Sequence, residues 1–354
     1  MGKSMTTPHG YAVFANEAPQ EQGVALKRVL LIVNPKSGNK KGLKIRDKVS
    51  EVLVEGGCEV QVVYTEYSGH AKVLAREHDL NGVDVFAPIG GDGTVHETVN
   101  GFMERTDFQE ISERVAIAII PGGSGNTLAY DLGLSTPQAT ARSILAGCVR
   151  RIDVNKVTPL AEDEEHKPVY SVNMVGYGLP STVLQAANSL RWLGGAQYKL
   201  AAYISLLRNV GYLCRVEIVD ANGHEIVRED KYVMIQGQLT VHMGSRVPFC
   251  VQAKLDDGLI ELSLVKHASR AKLIKVMTLA ESGKSGTADV VEELQVRSFK
   301  VTPLEASNKL IGPATVNVDG ELVGHAPFEA AVLPGALRFV TPSPTVDGAL
   351  PLTS

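Results

Sequence analysis

The chain has 354 residues, 44% of them apolar and 21% charged, which is the composition of an ordinary globular protein. This length favours two domains over one core. The net charge of −4 argues against broad nucleic-acid binding, because no surplus of cations displaces counterions. The four cysteines are far apart and form no CxxC motif, which argues against a zinc site or disulfide framework and favours a reducing compartment. The longest apolar runs fall far short of the roughly 20 residues that span a bilayer, so no transmembrane segment is expected.

Residues 1–24 are predicted to form a disordered leader without a signal-peptide core. The first six residues, MGKSMT, fit the N-myristoylation pattern, in which Gly2 carries the acyl chain. Because this pattern is short and often accidental, acylation of Gly2 is left open.

The next part of the chain alternates between strand-like runs and helical patterns. The runs are VLLIV, VQVVYT, VDVFAPIG and VAIAIIP, and each is rich in β-branched residues. The helical patterns cover residues 41–54, 70–77 and 95–103. Strands separated by such helices predict βαβ units with a parallel sheet that is buried on both faces. Functional groups of such sheets collect at the carboxyl ends of the strands, and the glycine-rich breaks of this chain lie there.

After Arg151 the pattern changes to strand-like runs with few helices, which are predicted at residues 181–209 and 269–282. The segments DANG and VDGE resemble tight turns. The predicted organisation is an α/β domain with a parallel sheet at 25–150, a mostly antiparallel β-rich domain at 151–342 and a flexible tail at 343–354.

One turn raises a chemical question. The run VFAPIGGDGTVHETVNG places Asp92 between glycines where a strand becomes a helix. The glycines let the backbone approach an anion, and the positive end of a helix that begins at Thr94 adds to the attraction. An acid there would repel a phosphate unless it binds a metal ion or accepts a proton. The alternative is a plain turn followed by a capping box that pairs Thr94 with Glu97.

Two further glycine-bearing turns follow predicted strands. IIPGGSGNT brings Ser124 or Asn126 to the start of a short helix. IVNPKSGNK places the side-chain amide of Asn34 near Lys36. Each turn alone is typical of an ordinary βα connection, but three at one sheet edge favour an anion site.

A fourth motif, ATVNVDGELVG, sets Asp319 and Glu321 around a glycine in a predicted β-turn. Alternating positions put both carboxylates on one side of the strand end, which suits a metal ion. Because D-G is also the commonest hairpin turn, a plain turn is the alternative. Neither the P-loop nor the dinucleotide fingerprint is present, since ESGKSG lacks the earlier glycine that a P-loop needs.

The motifs IVNPKSGNKKG, TEYSGHA, PIGGDGTVHETVNG, PGGSGNTLAYDLG and VDGE occur in this order. From about residue 29 to 340, the chain thereby resembles the diacylglycerol kinase catalytic-domain family of diacylglycerol, sphingosine and ceramide kinases. It is closest to the sphingosine and ceramide branch. The resemblance implies an α/β nucleotide-binding domain and a β-rich lipid-binding domain, with ATP in the cleft between them.

The resemblance also implies roles for individual residues. Asp92 matches the catalytic base toward the lipid hydroxyl, and Asp319 and Glu321 match acids linked to magnesium and the phosphates. Together with the loop pattern, it predicts ATP contacts from Asn34, Thr65, Gly90, Gly91, Gly93, Thr94, Glu97, Gly123, Ser124, Gly125, Asn126 and Arg191. In the basic stretch SLRWLGGAQY, Gln197 replaces the second basic residue of the family.

The identity of the lipid is left open. GYGLPSTV carries no acid over residues 179–182, where sphingosine kinases have an acid that meets the sphingoid amine, whereas ceramide or another neutral acyl lipid would not need one. The apolar residues Val183, Leu184, Trp192 and Leu193 are predicted to bind the lipid. Residues at this spacing also commonly pack a core.

The predicted function is ATP-dependent phosphorylation of a sphingoid-type lipid hydroxyl, of the sphingosine or ceramide class. The alternatives are a diacylglycerol kinase, an NAD-kinase-like kinase of a soluble substrate and a non-catalytic lipid- or nucleotide-binding regulator. The predicted partner is a lipid at a membrane surface, contacted peripherally from the cytoplasm. A homodimer is left open.

Overall fold

The computed structural model describes residues 5–6, 12–13, 20–160, 167–189, 200–202, 204–205, 210–304 and 315–343. The chain divides into two compact units. The α/β unit comprises residues 18–152 and 335–354, and the β unit comprises residues 1–17 and 153–334. The chain therefore leaves the α/β unit once and returns to it near its end.

The first elements in chain order are β1 (Met5–Thr6), β2 (Ala12–Val13), β3 (Arg28–Val33), α1 (Ser37–Lys40), α2 (Gly42–Glu55), β4 (Glu59–Tyr64), α3 (His70–Glu77), β5 (Val85–Gly90), α4 (Asp92–Met103), α5 (Phe108–Arg114), β6 (Ala116–Ile117), β7 (Ile120–Pro121), α6 (Thr127–Asp131), α7 (Pro137–Ala146) and β8 (Val149–Pro159). They are followed by β9 (Val169–Ser171), β10 (Met174–Gly178), α8 (Leu179–Ser189), β11 (Tyr212–Asp220), β12 (Glu225–Gln238), β13 (His242–Met243), β14 (Val247–Pro248), β15 (Ile260–Lys266), α9 (Arg270–Glu281), β16 (Val291–Pro303), β17 (Thr315–Val318), β18 (Glu321–His325) and β19 (Phe328–Val340).

The α/β unit is built on a parallel sheet. β3 pairs in parallel with β4 on one side and β5 on the other, and β5 pairs with β6 and β7. Helices α2 and α7 cover one face, where Val49 and Ile144 share a buried cluster with the strand residue Ile89. The opposite face holds an edge-to-face contact between Phe86 and Phe102 of α4, with ring centroids 5.0 Å apart. A parallel sheet buried on both faces is thereby confirmed.

Several details of the α/β unit differ from the sequence predictions. The run VAIAIIP forms two short strands, β6 and β7, rather than one. Helices α5 and α7 were not predicted, although α7 carries a readable start signal. The Thr136 side chain accepts a hydrogen bond from Ala139 N at 3.1 Å, and Pro137 occupies the first turn. Part of the predicted leader is also placed, since Glu21 forms a backbone bridge with Val149.

The β unit is antiparallel, with β18, β17, β10, β12, β11, β16 and β19 as successive neighbours. The long strands β12 and β16 pair with β11 along one half and with β15 along the other. Helix α9 packs on this sheet, where Leu273 shares a buried cluster with Met234 and Val265. The predicted order of an α/β domain followed by a mostly antiparallel β-rich domain is confirmed.

Helix α9 lies within the range predicted at residues 269–282. Helix α8 occupies the start of the range predicted at residues 181–209, and most of the remainder lies outside the described residues. Within the described parts of the chain, no helix combines the length and apolar character that a bilayer crossing requires. The exact domain boundaries stay predictions.

Candidate active site

Three glycine-bearing loops leave the carboxyl ends of β3, β5 and β7 and contact one another directly. A Cβ atom built on Gly123 would lie 2.5 Å from the Cα atom of Gly91, and one on Gly38 would overlap the carbonyl oxygen of Gly122. Only glycine therefore lets the three backbones approach this closely. The Ser37 hydroxyl donates to the Gly122 carbonyl at 2.7 Å and ties the first loop to the third. The loops that the sequence predicts at one sheet edge form one continuous backbone surface.

Asp92 is the first residue of α4, and only Gly91 separates it from the end of β5. Its Oδ2 atom accepts a hydrogen bond from Asn126 N at 2.9 Å, and its Oδ1 atom accepts one from Thr127 N at 2.7 Å. Gly125 leaves room for this carboxylate, because a Cβ atom there would overlap Oδ2. Both oxygens are thus oriented by backbone N–H groups at the start of α6, and the direction of the carboxylate is fixed.

Asn126 shapes the loop that holds Asp92. It has φ 55°, in the left-handed region that asparagine tolerates better than most residues. Its Oδ1 atom accepts from Gly123 N at 2.9 Å, and its Nδ2 atom donates to Gly123 O at 2.8 Å. The Asn126 side chain therefore stabilises the conformation of the loop over residues 123–126. Ser124 and Gly93 are exposed, so a ligand can reach both.

The helix after the glycine turn begins at Asp92, two residues before the predicted start at Thr94. The capping-box alternative is wrong, because Glu97 does not bond back to its own helix end. Its Oε1 atom accepts from Gly69 N at 2.8 Å, and its Oε2 atom accepts from Ala71 N at 3.1 Å. Glu97 therefore caps the neighbouring helix α3 and orders the TEYSGHA loop.

Asn34, Thr65 and Gly90, which are also predicted to contact ATP, lie on the same edge of the sheet. Asn34 follows β3, and its Oδ1 atom accepts from Lys36 N at 3.0 Å. Thr65 follows β4, and its N–H group donates to β3 at 2.9 Å. Gly90 ends β5, where a Cβ atom would overlap the buried side chain of Thr94. Direct contacts from these residues to a nucleotide stay predictions.

The structure also shows residues that the sequence analysis missed. Ser37 joins two loops, as described above. Tyr67 is exposed and stacks on the ring of His70, with centroids 4.5 Å apart. His70 is held in place because its Nδ1 atom accepts from Glu66 N at 3.1 Å. Both residues lie in the TEYSGHA motif, which was the only sequence signal that pointed to them. The stacking of the two rings could not be predicted from the residue pattern.

In the β unit, Asp319 and Glu321 lie at the turn between β17 and β18. The Asp319 carboxylate is buried and accepts hydrogen bonds from the Ser171 hydroxyl and from the backbone N–H groups of residues 172–174. Glu321 is exposed. Magnesium needs oxygens that face the ion, whereas the Asp319 oxygens face N–H and O–H donors. The pair does not fit a magnesium site here, and no cluster of three or more candidate ligands occurs among the described residues.

The residues predicted to contact the lipid lie on α8 and in the segment that follows it. Arg191, Trp192, Leu193 and Gln197 lie outside the described residues. Val183 and Leu184 lie on α8, where Val183 is partly exposed and Leu184 is buried. Their lipid contacts stay predictions.

Comparisons with known proteins cover both units. Residues 28–157 match the model "Diacylglycerol kinase catalytic domain", and residues 173–341 match "YegS C-terminal NAD kinase beta sandwich-like domain". The chain is 31% identical over 315 residues to a "Probable lipid kinase YegS-like" of Chromohalobacter salexigens, covering 88% of this chain and 92% of that protein. It is 26% identical over 356 residues to sphingosine kinase 1 of Rattus norvegicus, covering 89% and 91%.

A third relative is sphingoid long chain base kinase 4 of Schizosaccharomyces pombe. The two chains are 26% identical over 346 residues, and the match covers 87% of this chain and 73% of that protein. The fold is similar to the crystal structure of a putative diacylglycerol kinase from Bacillus anthracis, with a TM-score of 0.72, 24% identity and coverage of 92% of this chain and 100% of that one. The chain therefore belongs to the diacylglycerol kinase catalytic-domain family, and it is a lipid kinase.

Proposed function

We propose that this chain transfers the γ-phosphate of ATP to a hydroxyl group of a sphingoid-type lipid, of the sphingosine or ceramide class. The observation that carries the proposal is the fixed carboxylate of Asp92. It lies where the glycine-bearing loops of three neighbouring strands meet, a surface of backbone amides that suits phosphate groups.

The proposed mechanism follows from the chemistry of an alcohol. A lipid hydroxyl is a poor nucleophile, and phosphoryl transfer depends mainly on positioning and charge neutralisation. Asp92 would accept the hydroxyl proton while the oxygen bonds to the γ-phosphorus and the bond to ADP breaks. Backbone N–H groups of the glycine loops would stabilise the negative charge. We also propose that ATP binds together with magnesium, since the charge of this ion neutralises phosphates.

The start of α8 supports a neutral lipid head group. The Ser181 hydroxyl donates to Thr315 O at 2.5 Å, and the Thr182 hydroxyl donates to Gly178 O at 2.9 Å. Both hydroxyls therefore bond to the backbone, and residues 179–182 contain no acid that could pair with a sphingoid amine. A buried cation without a partner is costly. We therefore favour a ceramide-class acceptor over sphingosine itself.

The proposal also covers where the enzyme acts, whether it is acylated and its oligomeric state. We propose peripheral action on a membrane surface from the cytoplasm. Acylation of Gly2, which lies outside the described residues, and a homodimer stay open predictions.

The decisive experiment offers labelled ATP and magnesium with sphingosine, ceramide, diacylglycerol and monoacylglycerol in separate mixed micelles. We expect one sphingoid-class product from the wild-type chain. In Asp92→Asn, we expect nucleotide binding to persist and turnover to be lost, because an amide cannot accept the hydroxyl proton.

The matched control is Asp79→Asn in the same unit. Asp79 is an exposed turn acid that accepts only a local backbone hydrogen bond, from Asn81 N at 2.9 Å, among the contacts described. Turnover of the Asp79→Asn variant should equal that of the wild type. The asparagine at position 92 must turn its NH₂ group toward a backbone donor, so melting temperature is measured alongside. Unchanged turnover in Asp92→Asn, or labelled diacylglycerol alone, would contradict the proposal.

A further inference from the structure

The acid of the VDGE turn is enclosed by donors. Asp319 is 8% exposed and has φ 53°. Its Oδ1 atom accepts from the Ser171 hydroxyl at 2.6 Å, from Asn173 N at 3.0 Å and from Met174 N at 2.9 Å. Its Oδ2 atom accepts from Val172 N at 3.0 Å. The carboxylate thus fills a cradle of N–H and O–H groups, and these four donors belong to one remote segment, residues 171–174.

Three consecutive backbone N–H groups that converge on one anion form a nest, a concavity that ordinarily binds a free anion. Here the anion belongs to the chain itself and lies 145 to 148 residues away in sequence. The contact is reciprocal, because Asp319 N donates to Met174 O at 3.0 Å. The VDGE turn and the bend at residues 172–173 therefore fix each other.

The bend leads directly into the segment predicted to bind the lipid. β10 begins at Met174 and ends at Gly178, and α8 follows at once with Val183 and Leu184. Val172 is fully buried, so the bend is held by packing as well as by hydrogen bonds. Any displacement of the bend shifts the start of β10 and, through it, the start of α8.

A metal ligand would need a different environment. The donor groups around Asp319 turn their positive ends toward the carboxylate, and they would repel a cation placed there. Glu321, its expected partner, is exposed at the start of β18. A charge-assisted hydrogen bond is stronger than a neutral one, so this arrangement favours an internal anchor.

We propose that Asp319 is a positioning residue whose carboxylate occupies the backbone nest of residues 172–174 and thereby places the acceptor-lipid segment, rather than a ligand of magnesium. The role in lipid placement rests on the proposed function. The anchoring role does not depend on it.

The first test needs no activity. Hydrogen–deuterium exchange is measured on the full chain for the wild type, Asp319→Asn and Ser171→Ala. We expect at least tenfold faster exchange at the amides of residues 172–174 in Asp319→Asn and a smaller acceleration in Ser171→Ala. Asp220→Asn is the matched control, because Asp220 is also a turn acid of the β unit but accepts from Asn222 N and His224 N close by. Unchanged exchange in Asp319→Asn would overturn the proposal.

The second test separates positioning from metal binding. In Asp319→Asn we expect the KM for lipid to rise, while the KM for ATP and the magnesium concentration for half-maximal rate stay within twofold of the wild type. Ser171→Ala should shift the KM for lipid in the same direction, which a metal role does not predict. Rescue of Asp319→Asn by excess magnesium would overturn the proposal. A wild-type chain that phosphorylates no lipid would refute the proposed function, and the exchange measurement would still decide the role of Asp319.

Discussion

Gly125→Ala tests whether the position of Asp92 matters for phosphoryl transfer. Gly125 has no positive φ, so its backbone accepts alanine without strain. The new Cβ atom, however, would lie 2.3 Å from Asp92 Oδ2, where real Cβ contacts exceed 3.0 Å. The carboxylate must therefore move by about 1 Å, a displacement that can reduce a rate by about 10²-fold.

The same magnitude follows from the hydrogen bonds. Movement lengthens the bonds from Asn126 N and Thr127 N, now 2.9 and 2.7 Å. Hydrogen bonds to charged groups contribute about 1.5 kcal/mol or more each, so losing both costs about 3 kcal/mol. If this energy positions Asp92 in the transition state, kcat falls by about 10²-fold, since about 1.4 kcal/mol corresponds to a factor of ten.

The assay follows label transfer from ATP to the preferred lipid in mixed micelles, together with nucleotide affinity and melting temperature. Gly244→Ala is the control, because its Cβ atom would meet nothing within 4 Å and its φ is ordinary. We expect the control to keep kcat within about twofold, as for surface substitutions generally. A folded Gly125→Ala variant with wild-type kcat would refute the reasoning.

Three further predictions concern carboxylates outside this contact. Glu97→Gln loses one of the two hydrogen bonds that cap α3, so we expect a several-fold higher KM for ATP, measured by initial rates, and a wild-type value would contradict the capping role. Burial raises the pKa of Glu261, so its charge destabilises the fold above about pH 4.3, the usual value for an unfolded glutamate. Glu261→Gln keeps an acceptor for Gln295 and should raise the melting temperature at pH 7 but not at pH 4. Burial acts to raise the pKa of Asp84, but hydrogen bonds from the Arg28 side chain and backbone outweigh it and lower the pKa. Asp84→Asn should therefore destabilise the chain to urea at pH 7, with the difference from wild type disappearing as the pH falls below about 3.9 and through the folded pKa.

The sequence alone determined the architecture and the family. Alternating β-branched runs and helical patterns predict a parallel sheet. Hydrophobic periodicity is a local property, so it can be read from a short segment without knowing the rest of the fold. The glycines around Asp92 predict a close backbone approach for the same reason, since the absence of a Cβ atom is intrinsic to the residue.

The partners of the acids were decided only by the tertiary structure. The capping box of Thr94 and Glu97 is a valid local pattern, yet Glu97 bonds to α3 because the packing of α3 on α4 brings other donors to it. Asp92 bonds to amides 34 and 35 residues away, and Asp319 bonds to a bend about 146 residues away. Such pairings depend on strand register and helix placement, which arise from the sum of all contacts. Residue types therefore indicate which acids are candidates for a chemical role, and the fold determines which donors bond to each acid.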